Sequence, residues 1–356
     1  MRVLVTGACG FVGSRLLRHL RESTEGWTLL GMDNLCRMGS ERNRPVLKDL
    51  GVGFFHGDVR CASDFDHLPS VDWVIDAAAN PSVLAGIDGL SSSRQVIEHN
   101  LQGTVNMLEY CRRHTAGFVL LSTSRVYGVE PLSALPVREK GSRFELNEQH
   151  SLPPGVSARG VAEEFSTTPP LSLYGVSKKM SEDLTLEYAS AFGMPVHVNR
   201  CGLMAGAGQF GRADQGIVAF WIHSWRERRP LRYLGFGGRG LQVRDVVHPD
   251  DVASLVLSQI QQGQVEGRPR VLNVAGGPES TFSLAELSAW CEQRFGYRND
   301  VEQDGGERPF DIAWLALDDR KIRSLWDWRP EISRDAIFTE VARFADANPD
   351  WMQVST

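Results

Sequence analysis

The chain has 356 residues, 42% hydrophobic and 23% charged, ordinary globular usage that excludes disordered and fibrous classes and suits a large domain carrying a smaller partner. A formal net charge of -6 argues against wrapping nucleic acid by counterion release, while local arginines can still hold a small anion. Cys9, Cys36, Cys61, Cys111, Cys201 and Cys291 are scattered without a C-x-x-C pair or a His/Cys cluster, so reduced structural thiols and no bound metal are expected.

In chain order, Arg2-Val3-Leu4-Val5 is too short an apolar run for a signal peptide, and no later run approaches the roughly 20 apolar residues of a membrane span. A cytoplasmic enzyme without a membrane partner is therefore expected. Residues 3–5 read as a strand ending in Thr6-Gly7, and Leu16, Leu17 and Leu20 place a helix directly after it. Further short apolar runs at 27–32, 53–56, 73–77 and 118–121 read mostly as buried parallel strands. Residues 94–114 carry Val96, Ile97, Leu101, Val105 and Leu108 at helical spacing. Strands alternating with helices predict an α/β fold, a Rossmann-type doubly wound parallel sheet.

After Tyr127-Gly128 comes a stretch of about 40 residues rich in Pro, Ser, Gly and charge, far longer than the usual connection of about 4 to 6. A helix near Tyr174 and a strand at 196–199 follow. Beyond Met204 glycines become dense, at 206, 208, 211, 235, 237, 238 and 240. The expected division is a nucleotide-binding domain over 1–200, with later segments returning to it at about 241–275, and a smaller α/β substrate-binding domain over 201–356. Trp221 and Trp225, at helical spacing, read as core.

Three segments carry chemistry. Gly7, Gly10 and Gly13 stand between the first strand and helix, where glycine permits a tight turn and a helix N-terminus offers free N–H groups to a pyrophosphate. Alone the string is weak evidence, the alternative being a plain glycine-rich turn. Asp33, at the end of the second strand, can accept bonds from ribose hydroxyls and favours NAD over NADP, with Arg37 a mild counter-signal. Asp58 ends the third strand, where it serves either an adenine amino group or an ordinary turn. Tyr174 and Lys178, at i and i+4, share a helix face, and a neighbouring ammonium should bring the phenol toward working range as a base. Ser122-Thr123-Ser124, directly after a strand, places hydroxyls at the sheet's ligand crevice unless it is only a Ser/Thr-rich turn.

Found in this order, the motifs resemble an extended short-chain dehydrogenase/reductase: T-G-x-x-G-x-x-G from Thr6, Ala77-Ala78-Ala79, N-x-x-G-T from Asn100 and Y-x-x-x-K from Tyr174. Within that family, Asp33-Asn34-Leu35 with Arg37, Ser122 through Gly128, Gln209-Phe210, Asp214-Gln215-Gly216 and Gln242 through Asp245 resemble nucleoside-diphosphate-sugar 2-epimerases of the CDP-paratose (CDP-tyvelose) type. The related 4,6-dehydratases place Asp-Glu after the threonine, and Ser124-Arg125 stands here instead. Leu203 also departs, since many relatives have a polar residue there.

The resemblance implies an NAD site made of Gly7, Gly10, Phe11, Val12, Gly13, Asp33, Asn34, Asp58, Val59, Ala77, Ala78, Ala79, Asn100, Ser122, Tyr174 and Lys178. It implies catalysis by Tyr174 and Lys178 with Thr123 and Ser124. For a nucleoside-diphosphate sugar it implies contacts from Asn80, Arg125, Gln209, Asp214, Gln215, Arg244 and Arg308. Arg244 is the best diphosphate clamp, its alternative being a surface ion pair with Asp245. The expected reaction is epimerisation, at C2 through a transient 2-keto sugar, with C4 epimerisation, net dehydrogenation or a non-catalytic sensor as alternatives. A homodimer packed through the helices at 94–114 and 174–192 is implied too.

Overall fold

The protein's structure, a computed structural model, describes every residue except Asp88, Leu90, Ser91, Ala213, Asp214 and Thr356. Seven parallel strands form the central sheet: β1 (Arg2–Thr6), β2 (Thr28–Asp33), β3 (Gly53–His56), β4 (Trp73–Asp76), β5 (Gly117–Thr123), then Val196–Cys201 and Val271–Val274. From one edge the order is Val271–Val274, Val196–Cys201, β5, β4, β1, β2, β3. The order reverses between β1 and β4, and the crevice beyond the strand ends there is where open α/β sheets take ligands.

The strands are continuous apolar runs because helices cover both faces; all seven residues of β5 are buried. Alternation sorts them. Val3 and Val5 pack with Leu16, Leu17 and Leu20 of helix α1 (Phe11–Ser23) and with the Pro249–Gln262 helix. Leu4 packs on the opposite face against Met107, Leu108 and Ala189 of the Gly103–His114 and Leu173–Phe192 helices. Each such fully buried Leu contributes about 1.5–3 kcal/mol by leaving water.

The helix expected over 94–114 is present but interrupted. Ser93–Ile97 and Gly103–His114 are α-helical, and Glu98–Gln102 between them is a π-helical turn. The long segment after Gly128 is not bare loop: it holds a short helix (Val129–Ser133), the hairpin Val137–Lys140 with Arg143–Leu146, and the small hairpin Val156–Ser157 with Gly160–Val161. Its Phe144 N–H donates to the Leu241 carbonyl at 2.9 Å, so it packs beside a second, mixed sheet. There Val243–Val247 lies parallel to Leu203–Met204 and Trp314–Leu315 and antiparallel to Thr281–Ser283. Trp221 and Trp225 are buried in the core of this layer. Among the described residues no helix is long and apolar enough to cross a membrane.

Candidate active site

The glycines of the first turn are required by contact. Gly7 has φ +63, and a Cβ there would lie 2.8 Å from the Ala77 carbonyl oxygen at the end of β4; a Cβ on Gly13 would lie 2.1 Å from the Gly7 oxygen. Gly10 N–H donates to that same oxygen at 2.9 Å and Gly10 caps α1, whose first turn has no side-chain cap and no acidic residue. The N–H groups of Phe11, Val12 and Gly13 therefore keep their donors for an anion such as a pyrophosphate.

Asp33 closes this turn. Its carboxylate accepts from the N–H groups of Cys9 at 2.9 Å and Leu35 at 2.8 Å; burial pushes its pKa up, and those bonds act against the rise. Asn34 donates to Asp58 at 3.0 Å, and the Arg60 guanidinium, 2.6 Å from Asp58, holds that carboxyl below the usual carboxylate range. Val59 is buried against Gly103. Arg37 is turned away from Asp33: its guanidinium donates to Gln215 Oε1 at 3.3 Å and to the Phe210 carbonyl at 3.1 Å.

Ser172 caps the Leu173–Phe192 helix by accepting from Gly175 N–H at 3.0 Å, and Tyr174 and Lys178 emerge on one buried face. Gly175 is what lets this helix reach β5, since a Cβ there would sit 2.4 Å from the Arg125 carbonyl oxygen. Thr123 ends β5 and hydrogen-bonds the Tyr174 phenol; burial pushes that phenol up to about 12, and the Thr123 bond only moderates it. The lowering expected from Lys178 is not seen; the groups that lower this phenol are Thr123 and Arg125. Lys178 Nζ instead lies 4.0 Å from a buried carboxylate, Asp76, which compensates its charge. Ser124 is half-buried in the turn Ser124–Val126.

The hydroxyl of Ser122 is committed elsewhere, donating to Glu182 at 2.6 Å. Alternation explains this: Leu120 faces the layer of the Leu173–Phe192 helix, and Ser122 follows it two residues on. Asn100, in the π-helical turn, accepts from Asn80 N–H at 2.8 Å and donates to the Asn80 carbonyl at 3.1 Å and Ser177 Oγ at 3.0 Å. It thus braces the chain beyond β4, where Ala77 and Ala78 are half-buried and Ala79 exposed, against the Tyr174 helix. Single-turn π-bulges recur at functional sites for this kind of re-aiming.

The arginines expected to meet substrate converge from three distant segments. Arg125 donates to the Phe310 carbonyl at 3.3 Å, and Arg244 lies 3.6 Å from Asp311. Arg308 belongs to the same turn, its carbonyl accepting from Asp311 N–H at 3.2 Å. Burial and then the neighbouring Arg244 push Arg125 down to about 9; burial lowers Arg244, with Asp311 opposing and Arg308 adding. Arg244 is therefore no surface partner of Asp245, whose own carboxyl is pushed up to about 7 by burial. Gln209 donates to the Met204 carbonyl at 2.8 Å while its buried Oε1 has no partner among the described residues. Gln215 receives Arg37, and Asp214 lies outside the described residues. Asp76, Phe310 and Asp311 were not singled out in the sequence: Asp76 reads as a strand end, and the other two follow Arg308-Pro309 without a motif of their own.

A doubly wound sheet with this turn at its reversal point, and a Tyr/Lys helix beside a strand-end threonine, defines an NAD-binding enzyme. Residues 3–275 match the NAD dependent epimerase/dehydratase family, and the chain belongs to it, with NAD as cofactor. It is 28% identical over 346 residues to CDP-paratose 2-epimerase of Salmonella typhi, covering 94% of this chain and 96% of that one. It is 30% identical over 340 residues to dTDP-glucose 4,6-dehydratase of Streptomyces antibioticus, covering 93% and 88%. Among solved structures, UDP-glucose 4-epimerase of Thermotoga maritima superposes with a TM-score of 0.75 at 21% identity, covering 98% and 99% of the two chains. The relatives are sugar-nucleotide epimerases and dehydratases, and this chain is an enzyme of that group.

Proposed function

We propose that the protein epimerises a nucleoside-diphosphate sugar at C2. One observation carries the choice of epimerisation over dehydration: Thr123 is followed by Ser124-Arg125, and Arg125 is directed at the Phe310 carbonyl, so the residues that follow the threonine offer no carboxyl group to expel water from the sugar. The similarity to CDP-paratose 2-epimerase supports C2.

In this reading Gly7, Gly10, Phe11, Val12 and Gly13 hold the cofactor's pyrophosphate, Asp33 and Asn34 its ribose, and Asp58 and Val59 its adenine. Ala77, Ala78, Ala79 and Asn100 line the nicotinamide end. NAD, when bound, supplies a reversible acceptor for the sugar's carbon-bound hydrogen. Tyr174 takes the proton of the sugar hydroxyl and later returns it, with Lys178 supporting the charge. Thr123, aided by Ser124, hydrogen-bonds the oxygen where charge develops. Arg244, Arg308 and Arg125 anchor the diphosphate, so the oxidised sugar can turn over about that linkage while Asn80, Gln209, Asp214 and Gln215 meet its hydroxyls. Two copies pair through the helices at 94–114 and 174–192, as the exposed Met180 and Phe192 on the second helix support.

The test is to run the purified protein on sugar nucleotides in heavy water without added cofactor, following product by NMR. Conversion at C2 with protium retained, and its loss in Tyr174→Phe, is the expected result. Deuterium at the inverted carbon overturns the mechanism, and inversion at C4 overturns the assignment to C2.

A further inference from the structure

Asp76 is the last residue of β4 and is buried, as is Lys178. Its carboxylate faces three donors and the hydroxyl of Thr104, whose own hydrogen goes to the Asn100 carbonyl at 2.8 Å. Thr6 Oγ1 lies 3.2 Å from Oδ1, the Ala78 N–H donates to Oδ1 at 3.1 Å, Thr104 Oγ1 lies 3.4 Å from Oδ2, and Lys178 Nζ lies 4.0 Å from Oδ2. These groups come from the end of β1, the chain after β4, the helix behind the π-helical turn and the Tyr174 helix. A carboxyl that had to keep its own proton would need an acceptor among them, and the two hydroxyls are the only groups able to serve. Burial raises the Asp76 carboxyl, and the Lys178 cation, the Thr6 hydroxyl and the Ala78 N–H act against that rise and favour the charged form.

A buried ammonium without a counterion gives up its proton, because desolvation penalises the charged form. Asp76, 4.0 Å away, supplies Lys178 with that counterion. We infer that Asp76 is the positioning residue for Lys178, holding it as an ammonium on a fixed line beneath Tyr174. The inference rests on the reading of Tyr174 and Lys178 as the working pair, and it is independent of which carbon the enzyme inverts. The other titratable groups facing this pair are Arg125 and Cys201. The Cys201 thiol is pushed up to about 12 by burial, so it stays neutral through the range concerned. Arg125, which burial and Arg244 push down to about 9, is the other cation that bears on the phenol, and its titration is kept apart because the NMR signal followed is that of Lys178 itself.

The experiment uses the whole chain as purified, with lysine labelled at the carbon next to Nζ. The Lys178 signal is assigned by its loss in Lys178→Met, and its pH titration is followed by NMR in the unaltered protein and in Asp76→Asn. The expected result is that Lys178 loses its proton about two pH units lower in Asp76→Asn. In the cofactor-loaded enzyme the alkaline limb of kcat should move the same way with KM unchanged. Thr6→Val keeps shape, removes one donor from the carboxylate and should move both readouts in the same direction by a smaller step; it also serves if Asp76→Asn does not fold. An unmoved Lys178 titration overturns the inference and leaves Asp76 a purely structural residue. A moved titration in an enzyme that fails to epimerise sustains the inference and overturns the function proposed above instead.

Discussion

Gly7, Gly13 and Asp33 sit on one continuous strand, turn, helix and strand, whereas Arg125, Arg244 and Arg308 are carried by segments far apart in the chain and meet only at the turn around Phe310 and Asp311. The first region is fixed by backbone contact: a Cβ on Gly13 would lie 2.1 Å from a backbone oxygen, and neither atom can give. The second is held by long side chains with charge, where a lost group weakens binding without breaking the frame. One region should fail abruptly and the other by degrees.

The sharpest way to break that contrast is Gly13→Ala. The added methyl forces helix α1 off the turn, and overpacking of this kind costs about 1–3 kcal/mol of stability. NAD affinity should fall by more than about a hundredfold, because the N–H groups no longer converge. Titration of the variant with NAD by calorimetry checks it, and near-normal binding would show that the turn is more forgiving than its contacts imply.

Arg244→Ala is the graded counterpart. A charge-assisted bond to phosphate contributes about 1.5–3 kcal/mol, so substrate affinity should drop about ten- to a hundredfold with NAD binding intact. Charge is shared among three arginines, and a second substitution, Arg308→Ala in the same chain, should cost less or more than its single value because the two guanidinium groups share one ligand. Strict additivity in substrate calorimetry would separate Arg308 from the site.

How legible each region was in the sequence follows from the same difference. The strand at 53–56 was readable to the residue, because an apolar run bounded by turns leaves little choice. The glycine turn was readable because its parts are neighbours. The arginine cluster was only a set of candidates until the fold joined them, and the Asp76–Lys178 pair, held at 4.0 Å across a large separation in the chain, has no local signature at all. The π-helical turn at Glu98–Gln102 was invisible for another reason: one extra residue in a turn barely disturbs an apolar spacing of 3.6. Ser122 shows the limit of motif reading, since its hydroxyl could face the crevice or Glu182, and only the packed helix decides.

Asp33→Ser tests a residue with two duties. If Asp33 excludes a 2′-phosphate, the variant's preference for NAD over NADP should narrow. The lost carboxylate also leaves the N–H groups of Cys9 and Leu35 without their acceptor, so NAD affinity itself should fall about tenfold. Measuring both cofactors by calorimetry separates the two effects; an unchanged ratio with weakened NAD binding would assign Asp33 to the turn alone.

The smallest expected effect lies on the seam between the two regions. Arg15 of α1 and His248, which caps the Pro249–Gln262 helix, both bond Glu340 of the Arg334–Ala347 helix, His248 at 2.7 Å. Burial alone would raise the Glu340 carboxyl, but His248 and Arg15 outweigh it and hold it down to about 2. Its pKa in the folded protein is therefore below its ordinary value of 4.5, and such a group adds stability that is complete above the ordinary value and is lost as pH falls toward the folded one. With its side chain 34% exposed, solvent screens the pair, and about 1 kcal/mol or less is expected. Glu340→Gln should accordingly lower the urea midpoint slightly and by a constant amount between pH 7 and about pH 5, with the gap to the unaltered protein narrowing at more acid pH and at high salt. NAD and substrate affinities should both stay near normal, because Glu340 itself belongs neither to the glycine turn nor to the arginine cluster. A gap that widens on acidification would mean that Glu340 is held protonated in the fold, and a large loss of NAD affinity would mean that the C-terminal helix sets the position of α1.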